Sequence, residues 1–393
     1  MSPATLVVGQ SGGPTPVINA SLAGVLDEAA RSRRFPAVAG LRHGIEGALA
    51  GALVPLDGLS ADDREALART PAAALGSCRR KVEPDDYARI LDTFARHDVR
   101  WFCYVGGNDS MDTCHRLAAR AAASGYDLAV FGVPKTIDND LVGTDHCPGF
   151  GSTARFWAIT TQEATLDLAA MRTYDRVLVL ECMGRNAGWL AASTAIYKQD
   201  DRDGPHVLLT PERAFDAAAF LALVDAALSR AGYCVVAASE TIRDASGAYV
   251  ALQQAGADRF GHPIVTAVGE ALAQLVAREL GVKARANKPG TLQRTSAAHV
   301  SPIDRAEARE AGREAARRLG RGESGGMVSL VRAQPDLGAY RCEYGVVPLA
   351  EVANRERTLP DTFLAPDGCG VTPAFVAYAT PLLGDPPVPP FRL

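Results

Sequence analysis

The sequence has 393 residues, of which 47% are hydrophobic and 22% are charged, and its formal net charge at pH 7 is -4. This length is too great for one compact core and suits two domains of ordinary size. The charge balance gives no reason to expect nucleic acid or an acidic membrane surface as a partner, although a local cluster of basic side chains could still bind an anionic substrate.

The N-terminal residues enter an apolar run at Leu6–Val8 without a preceding basic stretch or a cleavage site, so no signal peptide is expected. No apolar stretch is long enough to predict a membrane span. The eight cysteines are scattered and show neither a CxxC pair nor a Cys/His metal spacing. Together these features predict a protein of the reducing cytoplasm without a membrane partner.

Short apolar runs alternate with longer helical stretches along the chain. Strands are predicted at Thr5–Gly9, Arg100–Val105, Leu128–Val133, Arg176–Glu181, His206–Leu209, Tyr233–Ser239 and Met327–Val331. Helices are predicted near Pro16–Arg33, Asp109–Ser124, Ser152–Met171, Ala187–Tyr197, Ala214–Ala231, Pro263–Gly281 and Pro302–Leu319. This alternation indicates right-handed crossovers between parallel strands. The predicted fold class is α/β, with two doubly wound, mostly parallel α/β/α (Rossmann-like) domains.

Glycine and polar residues follow the predicted strands, where parallel sheets bind their ligands. The segment Gly9–Pro14, with the sequence GQSGGP, lies between a strand and a helix, so Gly12 and Gly13 allow the backbone to approach an anion. It matches neither the GxGxxG nor the Walker pattern, which argues against a Rossmann dehydrogenase and a P-loop enzyme. The next such loop offers metal-binding oxygens from Asn108 and Asp109.

The segment Pro134–Asp140 places two carboxylates, one lysine and one hydroxyl directly after an apolar strand. Phosphoryl transfer needs an orienting carboxylate, positive charge for the transferring oxygens and a nearby metal ion, and this segment could supply much of that. A further loop offers Gly184 for close approach and Arg185 for binding phosphate. The remaining polar clusters carry little weight singly and are Arg79–Lys81, Ser239–Glu240, Lys283–Arg285 and Thr291–Arg294.

Taken in order, the motifs SGGP, GGNDS, PKTIDND, MGR, Ser-Glu and LQR resemble those of the phosphofructokinase family, from Gln10 to at least Arg294. The stretch from Tyr340 onward, including Pro360–Phe363 and Val371–Phe375, is similar to the branch of that family that uses pyrophosphate. The resemblance implies reversible transfer of a phosphoryl group from pyrophosphate to the 1-hydroxyl of fructose 6-phosphate, assisted by Mg²⁺, as a step of glycolysis and gluconeogenesis.

The resemblance also implies two phosphofructokinase-type domains. A phosphoryl-donor domain is expected from residues 1–149 plus about 293–345, and a sugar-phosphate domain from residues 150–292 plus about 346–393. A homodimer or homotetramer is implied, because positions that match Arg176 and Arg285 reach across from a neighbouring subunit in related bacterial enzymes.

Roles for individual residues follow from the same resemblance. Asp138 would accept the proton of the 1-hydroxyl, with Asp140 as its supporting acid, and Asn108 occupies the family's metal-binding position. The transferring oxygens would be stabilised by Lys135, Thr136 and Arg185. The residues implied to bind the donor are Gly12, Gly13, Arg79, Asp109 and Lys135. The residues implied to bind the sugar phosphate are Thr136, Ile137, Asp138, Arg176, Met183, Gly184, Arg185, Glu240, Arg285, Thr291 and Arg294.

Two positions indicate which donor is used. Members of the family that use ATP carry glycine at the positions of Asp109 and Lys135. An aspartate side chain would fill the groove that a nucleotide needs and would repel a polyphosphate tail. Lysine is scarce here, with five residues in the chain, and at position 135 it places a point charge where compact pyrophosphate could use it. Both residues therefore favour pyrophosphate over ATP.

Two departures from the family pattern weaken the transfer of roles. Asn108 is a neutral ligand where a carboxylate is expected, so the metal ion could arrive with pyrophosphate and be held partly by Asp109, Asp138 or Asp140. Thr291 stands where many ATP-using enzymes place histidine. Three alternatives stay open: an ATP-dependent 6-phosphofructokinase, the same chemistry on sedoheptulose 7-phosphate, and a non-catalytic sugar-phosphate sensor.

Overall fold

The computed structural model describes residues 3–257, 263–265, 267–333 and 340–391. The chain divides into two compact units. Unit 1 comprises Met1–Phe150 and Arg294–Arg357, and unit 2 comprises Gly151–Gln293 and Thr358–Leu393. No helix within the described ranges is long and apolar enough to cross a membrane.

The helices and strands alternate over most of the chain. The strands are β1 (Thr5–Gln10), β2 (Ala37–Leu41), β3 (Leu53–Pro55), β4 (Val99–Gly106), β5 (Ala129–Pro134), β6 (Val177–Cys182), β7 (Val207–Leu209), β8 (Cys234–Ser239), β9 (Leu252–Ala257), β10 (Pro263–Val265), β11 (Ala284–Asn287), β12 (Gly326–Arg332) and β13 (Cys342–Pro348). The α-helices are α1 (Ile18–Ser32), α2 (Ile45–Ala50), α3 (Ala61–Arg69), α4 (Pro84–Arg96), α5 (Asn108–Ala123), α6 (Phe150–Ala170), α7 (Trp189–Ser193), α8 (Ala217–Ala231), α9 (Val268–Leu280), α10 (Pro302–Gly320), α11 (Leu349–Val352) and α12 (Pro373–Leu383).

Unit 1 contains a seven-stranded sheet in the order β13-β12-β5-β4-β1-β2-β3. The five inner strands run parallel, while β3 and β13 pair antiparallel at the two edges. Helices cover both faces of this sheet, as the side chains that alternate along β1 show. Leu6 and Val8 pack into a cluster with α1 and α10, whereas Val7 packs into a second cluster with α4 and α5. A continuous apolar strand is the pattern that a parallel sheet buried on both faces requires.

Unit 2 contains a four-stranded parallel sheet in the order β11-β6-β8-β7, and β9 and β10 form a separate antiparallel pair. Helices α8 and α9 pack their apolar sides onto β6 and β8. The C-terminal segment joins this unit through an aromatic cluster in which the rings of Phe363, Phe375 and Tyr378 lie 5.5–6.4 Å from the ring of Trp189. The predicted α/β class with mostly parallel sheets is confirmed.

Two predicted helices have different bounds in the structure. The helix predicted over Pro263–Gly281 is wrong at its start, because Pro263–Val265 pairs with β9 as a strand and the helix begins at Val268. The helix predicted over Ala187–Tyr197 is also too long, since the α-helical part is Trp189–Ser193.

The chain passes from unit 1 to unit 2 a second time at a position that differs from the boundary predicted near residue 345. This position falls between Arg357 and Thr358. Strand β13 pairs with β12 along its whole length, and Leu349 and Val352 of α11 lie in the core of unit 1. These contacts keep residues 346–357 with unit 1, whereas the sequence prediction grouped them with residues 150–292.

Candidate active-site residues

Three of the predicted motifs follow adjacent strands of unit 1. Strands β1, β4 and β5 are neighbours and run parallel, so the loops after them meet at one edge of the sheet. Backbone hydrogen bonds join these loops directly. The N–H of Ser11 donates to the carbonyl of Val105 at 2.9 Å, and the N–H of Lys135 donates to the carbonyl of Gly106 at 3.0 Å. The structure therefore brings the GQSGGP, GGNDS and PKTIDND segments together.

Three cationic side chains surround the Gly12–Gly13 turn. The Lys135 Nζ donates to the carbonyl oxygen of Gly13 at 2.9 Å. A Cβ atom on Gly13 would lie 2.6 Å from Nη1 of Arg294 and 3.3 Å from Nη2 of Arg79, and one on Gly12 would lie 3.1 Å from Lys135 Nζ. Gly12 also has a φ of +73°, which favours glycine. The turn is thus a backbone surface surrounded by positive charge, as an anionic ligand requires.

Lys135 is almost completely buried, with 3% of its surface exposed. Burial, reinforced by the charges of Arg79 and Arg294, lowers its pKa to about 8, although Asp138 and Asp140 oppose the shift. Because Lys135 is shielded from water and lies near two other cations, its charged form is disfavoured. An anion bound beside it would stabilise that charged form.

The loop that carries Asp138 and Asp140 is held by its own hydrogen bonds. The Thr136 hydroxyl accepts a hydrogen bond from the N–H of Asp138 at 3.1 Å. Asn139, which is fully buried and has a φ of 55°, accepts a hydrogen bond from the N–H of Cys147 through Oδ1 at 3.0 Å. Burial and then the charge of Glu356 raise the pKa of Asp140, against hydrogen bonds that include one from Thr136. Thr136 therefore has a role inside the loop besides the predicted contact with transferring oxygens.

Asn108 has a different contact from the one expected of a metal ligand. Its Oδ1 accepts a hydrogen bond from the N–H of Asn354 at 2.6 Å, and its Nδ2 donates to the carbonyl of Arg355. Asp109 is exposed in the first turn of α5, where a carboxylate is favoured by the helix dipole. Anionic oxygens at this edge of the sheet come from Asp109, Asp138 and Asp140, and such oxygens suit a hard divalent cation.

A separate group of potential metal ligands lies elsewhere in unit 1. The ligand atoms of His146, Glu307 and Cys342 lie within 4.8 Å of one another. Both ring nitrogens of His146 already contact carboxylates, Nδ1 at 2.8 Å from Asp145 and Nε2 at 2.7 Å from Glu307. Burial alone would lower the pKa of His146, but these two carboxylates raise it above its ordinary value. The group is therefore explained as a buried ion-pair network.

Unit 2 brings together the predicted residues that follow β6 and β8. The N–H of Met183 donates to Oε1 of Gln293 at 2.9 Å, and Gly184 has a φ of +119° that favours glycine. Glu240 donates its backbone N–H to the carbonyl of Cys182 at 2.7 Å, so it lies beside the same loop. Burial raises the pKa of Glu240, although the nearby charges of Arg185 and Lys288 oppose the shift.

Arg176 and Arg285 are not part of this group. Arg176 precedes β6, whereas Met183 to Arg185 follow it, and the six residues of the strand separate the two by roughly 20 Å. Arg285 lies in β11 opposite Leu178, near the same end of β6 as Arg176. In the structure Arg176 Nε donates to the carbonyl of Gly232 at 3.2 Å, and Arg285 pairs with Asp175 at 3.0 Å. One copy of unit 2 therefore keeps these arginines apart from the Arg185–Glu240 group.

The turn Gly290–Arg294 contains two predicted residues and one that sequence reasoning did not assign a role. Thr291 is exposed, and Arg294 lies in unit 1 beside Gly13. Gln293, between them, is buried and accepts hydrogen bonds from Trp157 Nε1 and from the N–H of Met183, both at 2.9 Å. Its position inside the LQR motif was the available signal.

The fold and these residues define a class: a doubly wound α/β protein with a cation-lined glycine turn and two carboxylates at the carboxyl ends of adjacent parallel strands. Comparison with known families identifies that class further. The family model described as phosphofructokinase matches residues 5–319. The chain belongs to the phosphofructokinase family, whose members generally need a divalent metal ion.

Several relatives match the chain over nearly its whole length. It is 44% identical over 389 residues to the pyrophosphate–fructose 6-phosphate 1-phosphotransferase of Xanthomonas campestris pv. campestris (strain B100), covering 98% of this chain and 92% of the relative. It is 39% identical over 390 residues to the protein of the same name from Halomonas elongata, with 98% and 92% covered. The crystal structure of pyrophosphate-dependent phosphofructokinase from Marinobacter aquaeolei is 38% identical and superposes with a TM-score of 0.87, covering 99% of this chain and 94% of that one.

Proposed function

We propose that this chain transfers a phosphoryl group from pyrophosphate to the 1-hydroxyl of fructose 6-phosphate, in either direction. The products of the forward reaction are fructose 1,6-bisphosphate and phosphate. The observation that carries the proposal is the cluster of Lys135, Arg79 and Arg294 around the Gly12–Gly13 turn, next to the loop of Asp138 and Asp140. The names of the full-length relatives support it.

The residues proposed to bind the donor favour pyrophosphate because their positive charges lie close together at the glycine turn. Lys135 places its ammonium group at the glycine turn and contacts it directly, so a small, highly charged ligand gains more there than the extended tail of a nucleotide. Arg79 and Arg294 add two guanidinium groups, which bind phosphate oxygens through parallel hydrogen bonds. The proximity of Arg294 to Gly13 supports a role for it at the phosphoryl group that becomes the 1-phosphate, rather than at the 6-phosphate.

Asp138 carries the proton transfer in this proposal. Its carboxylate accepts the proton of the 1-hydroxyl while the hydroxyl oxygen forms a bond to phosphorus and the bridging P–O bond of pyrophosphate breaks. General base catalysis of this kind contributes roughly 10²- to 10⁴-fold. Lys135 and Arg185 stabilise the charge on the transferring oxygens.

Mg²⁺ is the divalent ion that we propose, bound with pyrophosphate and held by Asp109, Asp138 or Asp140. When bound, it would neutralise charge on the phosphate oxygens and orient the donor. The hydrogen bonds that Asn108 makes to residues 354 and 355 favour these carboxylates over Asn108 as the protein ligands.

The sugar phosphate is bound by Met183, Gly184, Arg185 and Glu240. The separation of Arg176 and Arg285 from this group supports a homo-oligomer in which these two arginines serve the site of a neighbouring subunit. Dimer and tetramer both satisfy this requirement, and light scattering of the purified protein distinguishes them.

A donor and acceptor comparison tests the proposal. Pyrophosphate and ATP are each assayed against fructose 6-phosphate and sedoheptulose 7-phosphate, at matched free Mg²⁺, with coupled detection of the bisphosphate. We expect the highest kcat/KM for pyrophosphate with fructose 6-phosphate. Faster turnover with ATP would refute the donor assignment, and faster turnover with the seven-carbon sugar would change the acceptor.

Asp138→Asn separates an enzyme from a sugar-phosphate sensor. The amide keeps the size of the side chain but cannot accept the proton. We expect kcat to fall at least 100-fold while binding of fructose 6-phosphate, measured by calorimetry, changes less than threefold. Retained turnover in this variant would remove Asp138 from the mechanism.

A further inference from the structure

Arg357 holds the backbone of the Asp138–Asp140 loop. Its guanidinium Nη2 and Nε donate to the carbonyl of Asn139 at 2.9 and 3.2 Å. Its Nη1 donates to the carbonyls of Thr144 and Asp145 at 2.8 and 2.6 Å. Its backbone N–H donates to the carbonyl of Asp140 at 2.7 Å. One residue therefore fixes four carbonyl groups on both sides of the loop.

Two of these four carbonyls, those of Asn139 and Asp140, belong to the segment that carries the two carboxylates. Asn139 stands between Asp138 and Asp140, so holding its carbonyl restricts the backbone on either side. Asn139 adopts a left-handed conformation, with a φ of 55°, which non-glycine residues adopt rarely and only when neighbouring contacts maintain it. The hydrogen bond from the N–H of Cys147 to the Asn139 side chain supplies one such contact, and Arg357 supplies two more, both to the Asn139 carbonyl.

We propose that Arg357 is a positioning residue for phosphoryl transfer, which it supports by fixing the loop so that Asp138 meets the attacking hydroxyl. This inference rests on the proposed function. Arg357 acts through the loop backbone and contributes no group to the reacting atoms. Because misplacement of a catalytic group by about 1 Å can cost about 100-fold in rate, loss of the contacts should reduce kcat by about 10- to 100-fold.

The proposal requires the forked shape of the guanidinium group. A lysine at position 357 would retain the charge, but one ammonium group cannot donate simultaneously to carbonyls on both sides of the loop in the same directions. Arg357→Lys should therefore lose nearly as much activity as Arg357→Ala. Guanidinium ion, added below the concentration that unfolds the wild-type protein, should partly restore kcat of the alanine variant and leave the lysine variant unchanged.

The experiment compares Arg357→Lys and Arg357→Ala with Arg155→Ala in the full-length protein. Arg155 is a matched control, because it also donates to two backbone carbonyls, those of Leu383 at 2.8 Å and Asp385 at 2.5 Å, but does so in unit 2 at the end of α12. For each variant, kcat, both KM values and the unfolding midpoint are measured. We expect kcat to fall at least 10-fold in both Arg357 variants, with KM values within threefold of wild type, and to stay within twofold in Arg155→Ala.

Turnover within twofold of wild type in folded Arg357→Lys would refute the positioning role. The role is also refuted if kcat falls only as far as the folded fraction falls, since that marks a purely structural effect. Failure of the proposed function has a different signature, because the wild-type protein would then fail to use pyrophosphate before any variant is compared.

Discussion

Lys135 is a buried cation in contact with the backbone of the glycine turn. It is buried, and it lies near Arg79 and Arg294, yet it also directs its ammonium group at the carbonyl of Gly13. The resulting pKa of about 8 lies below the ordinary value of 10.5. Bound pyrophosphate would favour the charged form, so this lysine couples donor binding to uptake of a proton.

This coupling predicts the pH dependence of donor use. Above about pH 8 the free enzyme loses the charge of Lys135, so kcat/KM for pyrophosphate should fall as pH rises past this value. In kcat the same decline should begin at higher pH, because the bound anion raises the pKa. Profiles are measured from pH 6.5 to 10 for wild type and for Lys135→Met. If kcat/KM of Lys135→Met still declined at the same high pH, the decline would belong to another titratable group.

Asp109 provides a second prediction for a single residue, on donor choice. Replacing it by glycine removes the side chain and the negative charge that would meet a nucleotide, so Asp109→Gly should reduce the preference for pyrophosphate over ATP by about 10-fold, or 1.4 kcal/mol. The readout is the ratio of the two kcat/KM values. Asp112→Gly, on the next turn of α5, controls for glycine in this helix. An unchanged ratio in Asp109→Gly would show that this side chain does not exclude ATP.

Among the helices, α1 and α10 approach unusually closely. A Cβ atom on Gly24 would lie 1.8 Å from the carbonyl oxygen of Arg309, and one on Gly312 would lie 2.0 Å from that of Ser21. The two glycines therefore allow backbone contact across one face of the unit 1 sheet. Because α1 begins after the Gly12–Gly13 turn, this contact also fixes the helix that follows that turn.

We expect Gly312→Ala to destabilise the protein by about 1–3 kcal/mol, although alanine is the better helix former, because the methyl group would force the helices apart. Urea unfolding measures the effect. Gly58→Ala is the matched control, since a Cβ atom there meets nothing within 4 Å. Equal stability of the two variants would show that the helices accommodate the added methyl group without loss of unfolding free energy.

Whether a strand or helix was predicted from the sequence depended on the contacts that define it. Most inner strands of both sheets are short, largely buried apolar runs, and these were predicted, but the inner strand β2 (Ala37–Leu41) was missed. Strands β3 and β13 were missed because they are partly exposed edges defined by antiparallel pairing with a distant segment. Helix α4 was also missed, although Pro84 at its first turn and the buried series Tyr87, Ile90, Leu91 and Phe94 were visible in the sequence.

For the candidate site, the sequence located the loops but not their side-chain contacts. Gly12, Lys135 and Asp138 follow predicted strands, so their proximity was predictable from the parallel sheet. The approach of Arg79 and Arg294 to Gly13 depends on segments far apart in the chain, and no local pattern encodes it.

Arg357 was not found, because arginine supplies nearly all of the 41 basic residues and one more carries no signal. The separation of Arg176 from Arg185, in contrast, follows from their positions at opposite ends of β6 and could have been deduced from the strand prediction alone.

At the level of the whole molecule, two buried histidines give the stability of the fold opposite dependences on pH. The pKa of His146 is raised by Asp145 and Glu307, so its stabilising contribution is fully present below pH 6.5 and is lost as pH rises through the folded-state pKa. Burial and then Lys198 lower the pKa of His206 to about 4, so stability falls as pH drops from 6.5 towards 4 and the unfolded chain binds the proton.

These signs can be measured with His146→Gln and His206→Gln, each serving as the control for the other. The free energy of unfolding in urea is determined from pH 5 to 8.5. The stability difference between wild type and His146→Gln should shrink as pH rises, whereas the difference for His206→Gln should shrink as pH falls below 6.5. Parallel curves for wild type and His146→Gln would show that the buried network does not hold the extra proton.

The sheet of unit 1 is assembled from two distant parts of the chain, since β5 pairs with β12 only after all of residues 151–293 have intervened. On the ribosome, the four parallel strands of unit 2 therefore emerge before the chain has supplied β12, β13 and α10 to the unit that began first. Until those last segments arrive, the outer side of β5 stays open, Arg294 is absent from the Gly12–Gly13 turn and Arg357 does not yet hold the Asp138–Asp140 loop. The contacts around the Gly12–Gly13 turn and the Asp138–Asp140 loop should therefore be completed only late in synthesis.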